Sequence, residues 1–402
     1  MLTRKHAMFM VNALLGLASV VTLPACSQKP SETSKSRPAA TELDTGVGGR
    51  KVVVLSQPRS RDLQPRILRA ELLPGRGMSI FQLTADVPGT GAVDLLDSPP
   101  LETLLDKVND GGPEDFNGNL SLQMGGATLL PFAGPIRGKL LPDGKTIETT
   151  VLGKPVRLPA NGRGMKAHAE LHAVGGLILA TRMDNVSVNA DQSQASVTAT
   201  LDAGGFQGHW LSKAAVVITA TLQKNSFDLT ATVKNAGSEE MPMGIGWRPY
   251  FHLLSGDRTQ AKLHLPARQR VAVNNYDDLF PTGQLMPVAS TPYDFSAPGG
   301  APLNDLFLDD CFVDLQRDDQ GSVAAEVIDS PFHFGIRIRA LSPQVSAFQV
   351  YAPTNQPVVV VEPRFDWGDP FNPVWKGKSA GMVVLKPGES IAYSVEIDLF
   401  TL

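Results

Sequence analysis

An all-β fold built on two large packed sheets is predicted by three features of this chain of 402 residues. Short alternating or β-branched runs recur from residue 51 to the C-terminal end. Glycine and proline, 37 and 31 in number, break the chain too often for long helices. The texture does not change along these residues, so one large domain is expected rather than two joined by a linker. No self-similarity at about 20–50 residues is visible, which argues against a propeller.

The elements follow in order. Residues 1–25 read as a cleaved leader: Arg4 and Lys5 give a positive start, and Ala7 to Leu23 give an uncharged apolar run too short for a typical membrane span. The run ends in Leu23-Pro24-Ala25-Cys26, which resembles the lipobox of bacterial lipoproteins and implies lipid on Cys26. An ordinary secretory leader with an incidental cysteine is the alternative. Residues 26–50, rich in Ser, Thr, Pro, Lys and Gly, are expected to be a disordered tether, because they carry few large apolar side chains. Strands are then expected over 51–55, 196–201, 214–222, 227–233, 324–328, 335–340 and 391–400. The run 227–233 alternates apolar and polar residues cleanly, and Asn235-Ala236-Gly237 turns it. One short helix is expected, over 102–108.

Composition excludes several classes. With two cysteines, one of them Cys26, a disulfide framework is not expected, so an exported chain must rely on its core. Seven dispersed histidines and a lone Cys311 show no metal-ligand spacing, and no metal is expected. Asp309-Asp310 lacks the further ligands and glycine of a calcium loop. The turn Pro74-Gly75-Arg76-Gly77 lacks the Lys-Ser of a phosphate loop and reads as a plain turn. A formal net charge of −4 argues against a nucleic-acid partner. Membrane attachment is expected only through the lipid.

The stretch most suggestive of chemistry is 349–372. Val358 to Val361 reads as a strand buried on both faces, and it runs into Glu362 and Pro363. A carboxylate there either pairs with nearby Arg364 or serves as a general base in a cleft. Phe365, Trp367, Phe371 and Trp375 crowd together in a chain with 6% aromatic residues. Aromatic faces beside carboxylates and amides suit a sugar, which offers apolar C–H faces and hydroxyl edges.

A second segment, Gly246-Trp247-Arg248-Pro249-Tyr250-Phe251-His252-Leu253, joins Glu362-Pro363 and Asp369-Pro370-Phe371-Asn372 in resembling the aldose 1-epimerase (galactose mutarotase) family. That family carries G-x-H-P-Y-F-x-L and later E-P and D-x-F-N. Leu130-Pro131-Phe132-Ala133, the segment from Leu158 to Gly176-Leu177, and Asp309 resemble three further family segments in the family's order. The resemblance implies a β-supersandwich and interconversion of the α and β anomers of a free aldose by ring opening, without a cofactor. It implies Glu362 as base and Asp309 as a binder of sugar hydroxyls. The chain departs from the family at three polar positions: Arg248 replaces the acid histidine, Gly175 a second histidine, and Gly134-Pro135 an Asn-Arg pair. A guanidinium stays protonated and cannot cycle a proton. His252 is therefore the substitute acid expected on the face of Arg248, with Arg137 and His172 as substitutes at the other two positions. Trp247 and Tyr250 are expected to line the site. The alternative is a lipid-anchored carbohydrate-binding protein that has lost catalysis.

Overall fold

The computed structural model describes residues 37–402 apart from 61–62, 110–112, 165 and 167, so the leader over 1–25 and Cys26 lie outside the described residues. Two antiparallel sheets dominate. The larger has twelve strands, ordered Ala39–Val47, Arg50–Ser56, Arg66–Leu73, Ser79–Val87, Gly126–Leu129, Gly246–His252, Val358–Arg364, Ala347–Ala352, Leu308–Leu315, Ala267–Val273 and Pro281–Pro287, with Gly91–Asp94 paired to Ser79–Val87 beside this path. The smaller has nine, ordered Asn185–Ala190, Gln194–Gly204, Ala214–Gln223, Ser226–Asn235, Ser390–Thr401, Phe334–Ala340, Val323–Asp329, Ala261–His264 and Ala301–Pro302.

Their inner faces share one core. Val53, Leu72, Ile80, Phe251, Val359 and Phe348 of the larger sheet and Val197, Ile218, Leu229, Ile338, Val395 and Ile397 of the smaller belong to a single buried cluster. The alternation read in 227–233 is realised as Phe227, Leu229, Ala231 and Val233 pointing into this core. The strand ends at Asn235, whose buried amide donates to the carbonyls of Glu239 and Leu385 at 2.8 and 2.9 Å and accepts from Ser212 Oγ at 2.8 Å. This side chain replaces the ladder where the chain turns. Each strand expected from the sequence is present, and the expected helix is Leu101–Asn109.

The tether boundary at residue 50 needs correction. Ala39–Val47 is a strand that pairs with Arg50–Ser56, Val47 lying opposite Arg50 across a turn made by Gly48 and Gly49. Both glycines have positive φ, +60° and +76°, which suits a two-residue hairpin turn. A Cβ on Gly48 would stand 2.2 Å from the Gly75 carbonyl oxygen. A Gly-rich, weakly apolar stretch reads as linker by composition, yet here its glycines close a hairpin against the body. Gly75 belongs to the turn read as plain, and next to it Arg76 is buried, held bidentately by Asp115 at 2.6 and 2.7 Å.

Candidate functional site

The Val358–Arg364 strand is buried throughout, and its alternation divides two environments. Val359 and Val361 face the shared core, whereas Val358, Val360, Glu362 and Arg364 face away from it, on the outer side of the larger sheet. Cross-strand register extends that side. Gln349 lies opposite Glu362 and Cys311 opposite Gln349. Gly246 pairs with Arg364 and Tyr250 with Val360, which sets Arg248 beside Glu362. Arg248, Glu362, Gln349 and Cys311 thus form one row across four neighbouring strands, and Asp309 and Arg364 stand two residues off it.

This row floors an open cavity of about 240 Å³ that is also lined by aliphatic groups from Leu122, Leu129, Val174 and Leu279 and by His172, Asp277 and Asp278. At about 30 Å³ per water, the space equals roughly eight waters, the size range of one monosaccharide.

Glu362 is 1% exposed, and both its oxygens accept from guanidinium groups: Oε2 from Arg248 at 2.8 Å and Oε1 from Arg364 at 3.1 Å. Arg364 also donates to Gln349 Oε1 at 2.9 Å, and Gln349 Nε2 donates to Asp309 Oδ1 at 2.7 Å. The polar floor is therefore one continuous chain from Arg248 to Asp309. Burial disfavours the Arg248 charge, but Tyr250, Glu362 and Asp309 outweigh it and raise its pKa. For Arg364 burial is likewise outweighed, by Cys311, Glu362 and Asp366, and its pKa goes up. Burial pushes Asp309 up to about 6, against the pull of Arg248 and the Gln349 bond. It lowers His172 and raises the Cys311 thiol.

Of the residues singled out in the sequence, Glu362, Arg248, Asp309 and His172 line the cavity. His172 stands edge-on to Phe280, ring centroids 5.2 Å apart, with Nδ1 3.2 Å from the Glu170 carbonyl oxygen. Arg137 is not among the lining residues: its guanidinium is bound to Glu170 and stacked over Phe280. His252 shares the face of Arg248, as extended geometry requires, but it lies opposite Val358, four residues along the strand from Glu362. Such an offset is about 13 Å at roughly 3.3 Å per residue, and the cavity lining does not include it. Trp247 points to the opposite face, fully buried in the core, with Nε1 donating to the Gly126 carbonyl at 3.1 Å. Tyr250 supports the floor from beside it, accepting from Arg248 at 3.2 Å and donating to the Leu122 carbonyl at 2.7 Å. A His at Gly175 would be strained, since φ is +76° there and the Leu122 side chain, 2.5 Å from an added Cβ, would have to move.

The aromatic cluster does not line the cavity either. Phe365 is in the core, Trp375 is buried, and Trp367 packs edge-on against Trp375 and donates to Ser346 Oγ at 2.8 Å. The carboxylates interleaved with it brace loops. Asp366 accepts from the backbone N–H groups of Ala133 and Gly134, and Asp369 from that of Arg137. Three floor residues escaped the sequence reading of the site. Arg364 appeared only as an ion-pair partner for Glu362, which it is; Gln349 and Cys311 reach the site through register, for which the sequence carries no local signal.

Comparison with known proteins agrees with this architecture. The family model described as aldose 1-epimerase matches residues 105–398. A galactose mutarotase-like protein from Clostridium acetobutylicum superposes with a TM-score of 0.69 at 16% identity, covering 91% of this chain and 99% of its own. Galactose 1-epimerase from Lactobacillus acidophilus gives 0.62 at 14% identity, covering 91% and 99%. A GalM/aldose epimerase homologue from C. elegans gives 0.61 at 16% identity, covering 84% and 97%. The structural likenesses establish a galactose mutarotase-like fold, and the family match over most of the chain establishes that it belongs to the aldose 1-epimerase family.

Proposed function

We propose that this protein is an exported isomerase that interconverts the α and β anomers of a free aldose by acid/base ring opening, held to a membrane through lipid on Cys26. The observation that carries the reading is the convergence of Glu362, Arg248 and Asp309 on one cavity of monosaccharide size in a chain of this family. Glu362 takes the proton from the anomeric hydroxyl as the bond between C1 and the ring oxygen opens. A carboxylate offers about four lone-pair sites, and the two guanidinium bonds leave others for the sugar. Arg248 supplies fixed positive charge beside the negative charge that develops on the opening sugar. Its side chain needs no reorganisation, being braced by Tyr250 and the Leu122 carbonyl.

One observation favours a second reading, a carbohydrate-binding protein without catalysis: both Glu362 oxygens are already engaged by cations. Polarimetry on freshly dissolved α-D-glucose and α-D-galactose separates the two. Wild type is expected to accelerate the optical change, and Glu362→Gln to lose about 100- to 10,000-fold of that acceleration, the usual worth of a positioned acid or base, while still binding sugar by calorimetry. Sugar binding by wild type without acceleration would favour the binding protein instead.

A further inference from the structure

Ring opening needs a group that gives a proton to the ring oxygen, and the structure narrows the choice. Arg248 and Arg364 remain cations. His252 is outside the cavity lining. His172 lines the cavity, but burial favours its neutral form, and its Nδ1 faces the Glu170 carbonyl oxygen at 3.2 Å, which takes the one ring N–H of that form. The Tyr250 hydroxyl donates to the Leu122 carbonyl. Asp277 is ion-paired with Lys166, and the Asp278 carboxylate accepts from the Asn275 amide at 3.1 Å in its own exposed loop. Burial makes the Cys311 thiol a still weaker acid than usual.

We infer that Asp309 is the proton donor to the ring oxygen and, on reclosure, the acceptor of that same proton. The inference rests on the epimerase reading given above. Its geometric basis is a difference between two carboxyl groups on one cavity floor. Glu362 faces two guanidinium groups, whereas Asp309 receives one neutral amide donor at Oδ1, and its Oδ2 has no hydrogen-bond partner among the described residues. The Gln349 amide is oriented by Arg364 at its oxygen, so its NH₂ is what meets Asp309. Oδ2 is thus left to carry a proton into the cavity. The two residues stand on strands separated by one intervening strand and are offset by two residues along them, about 12 Å apart at roughly 4.8 Å per spacing and 3.3 Å per residue, with the space for a sugar ring above them. A Glu362 carboxylate and a protonated Asp309 are two states of one chemical group separated by environment, the arrangement that splits acid from base in a shared site.

In the step, the electron pair of the bond between C1 and the ring oxygen goes to the ring oxygen, which takes the Asp309 proton. Meanwhile Glu362 takes the proton of the anomeric hydroxyl, and its O–H pair forms the aldehyde. After rotation about the C1–C2 bond, the ring hydroxyl attacks the other face, returns its proton to Asp309, and the aldehyde oxygen regains the proton held by Glu362. Nothing is left over. The charges and titratable groups around Asp309 are Arg248, Glu362 and Arg364 from the two strands beyond Gln349, Tyr351 directly across, Asp310 next in sequence, Cys311 on its own strand, and Arg163, His172, Asp277 and Asp278 on the cavity walls. Burial is the largest influence on Asp309 and holds its pKa at about 6.

The test is polarimetric kinetics on the α anomers of D-glucose, D-galactose, D-xylose and L-arabinose, for wild type, Asp309→Asn and Asp309→Glu. For wild type, kcat is expected to fall about tenfold per unit above a pH of about 6 as the donor ionises. Asp309→Asn keeps hydrogen bonding to hydroxyls but has no proton to transfer. It should lose about 100-fold or more in kcat, with KM changed by less than about threefold and the fall above pH 6 gone; Asp309→Glu should recover part of the rate. A change confined to KM would mean that Asp309 only binds sugar, and would overturn the proposal. So would a wild-type profile level from about pH 5 to 8, which decides the matter even if Asp309→Asn does not fold. Absence of acceleration by wild type on every sugar overturns the epimerase reading itself, together with this one.

Discussion

At the scale of single residues, the site is organised around a carboxylate clamped between two guanidiniums. Arg248 and Glu362 side chains are 18% and 1% exposed, so the pair is shielded from solvent screening, and Arg364 is buried beside it. Arg248→Met removes one charge-assisted bond and leaves Glu362 buried with Arg364 as its remaining cation, so it should cost about 1.5–3 kcal/mol of unfolding free energy. Glu362→Gln should be costly too, and the double variant should cost less than the sum of the singles, by about 1 kcal/mol or more. Urea denaturation of the four proteins measures this; additivity within about 0.5 kcal/mol would show that the two groups are not coupled. The sequence pointed to Glu362 because an acidic residue interrupts a β-branched run, and it offered Arg364 as partner. It misjudged Trp247, which strand alternation turns to the core, and the aromatics after Glu362, because beyond the strand end at Arg364 the regular alternation stops. There the direction of each side chain is set by loop contacts such as those of Asp366 and Asp369 with the segment 133–137.

At the scale of elements, the hairpin at Gly48 shows how a linker-like composition can still be structured. Gly48 and Gly89 both have positive φ, but a Cβ at Gly89 would meet nothing within 4 Å, whereas at Gly48 it would collide with the Gly75 carbonyl. Alanine at Gly89 should cost about 1–2 kcal/mol, the left-handed penalty alone. Alanine at Gly48 should cost more, since backbone must also move, and should disturb the Ala39–Val47 strand that the turn joins to the sheet. Calorimetric Tm values for the two variants give the comparison. Equal losses would mean that the hairpin does not press on the body at Gly75. The strands named from the sequence were legible because alternation and β-branching are local signals, whereas Arg66–Leu73, Ser79–Val87, Leu308–Leu315 and Ala347–Ala352 were not among them. Ala39–Val47 was not, since its residues are mostly half-buried or exposed and its partner provides what the strand itself lacks.

At the scale of the molecule, the two sheets enclose their core without any disulfide among the described residues, where Cys311 is free and buried. No helix among the described residues is long and apolar enough to cross a membrane. The attachment proposed above is through lipid on Cys26. Cys26→Ser should leave the folded body unchanged by circular dichroism while releasing it from the membrane fraction or leaving the leader uncleaved. A Cys26→Ser protein that is processed and still membrane-bound would refute the lipid anchor. Because a single acyl chain binds only marginally, stable attachment would require more than one.

Local pattern alone determined the all-β class, the strands named from the sequence, the short helix and the place of Glu362 at the end of a buried run, since hydrophobic period and turn residues act between near neighbours in the chain. Five family-like segments in one order also carried the fold assignment. What the tertiary structure decided was which polar residues meet. Arg248, Glu362, Gln349 and Cys311 are brought into one row by register between strands far apart in sequence. The same register sets His252 away from the cavity and turns Trp247 to the core. A shift of one residue would reverse every side chain on a strand, so the composition of the floor depends on long-range pairing that no stretch of sequence displays by itself.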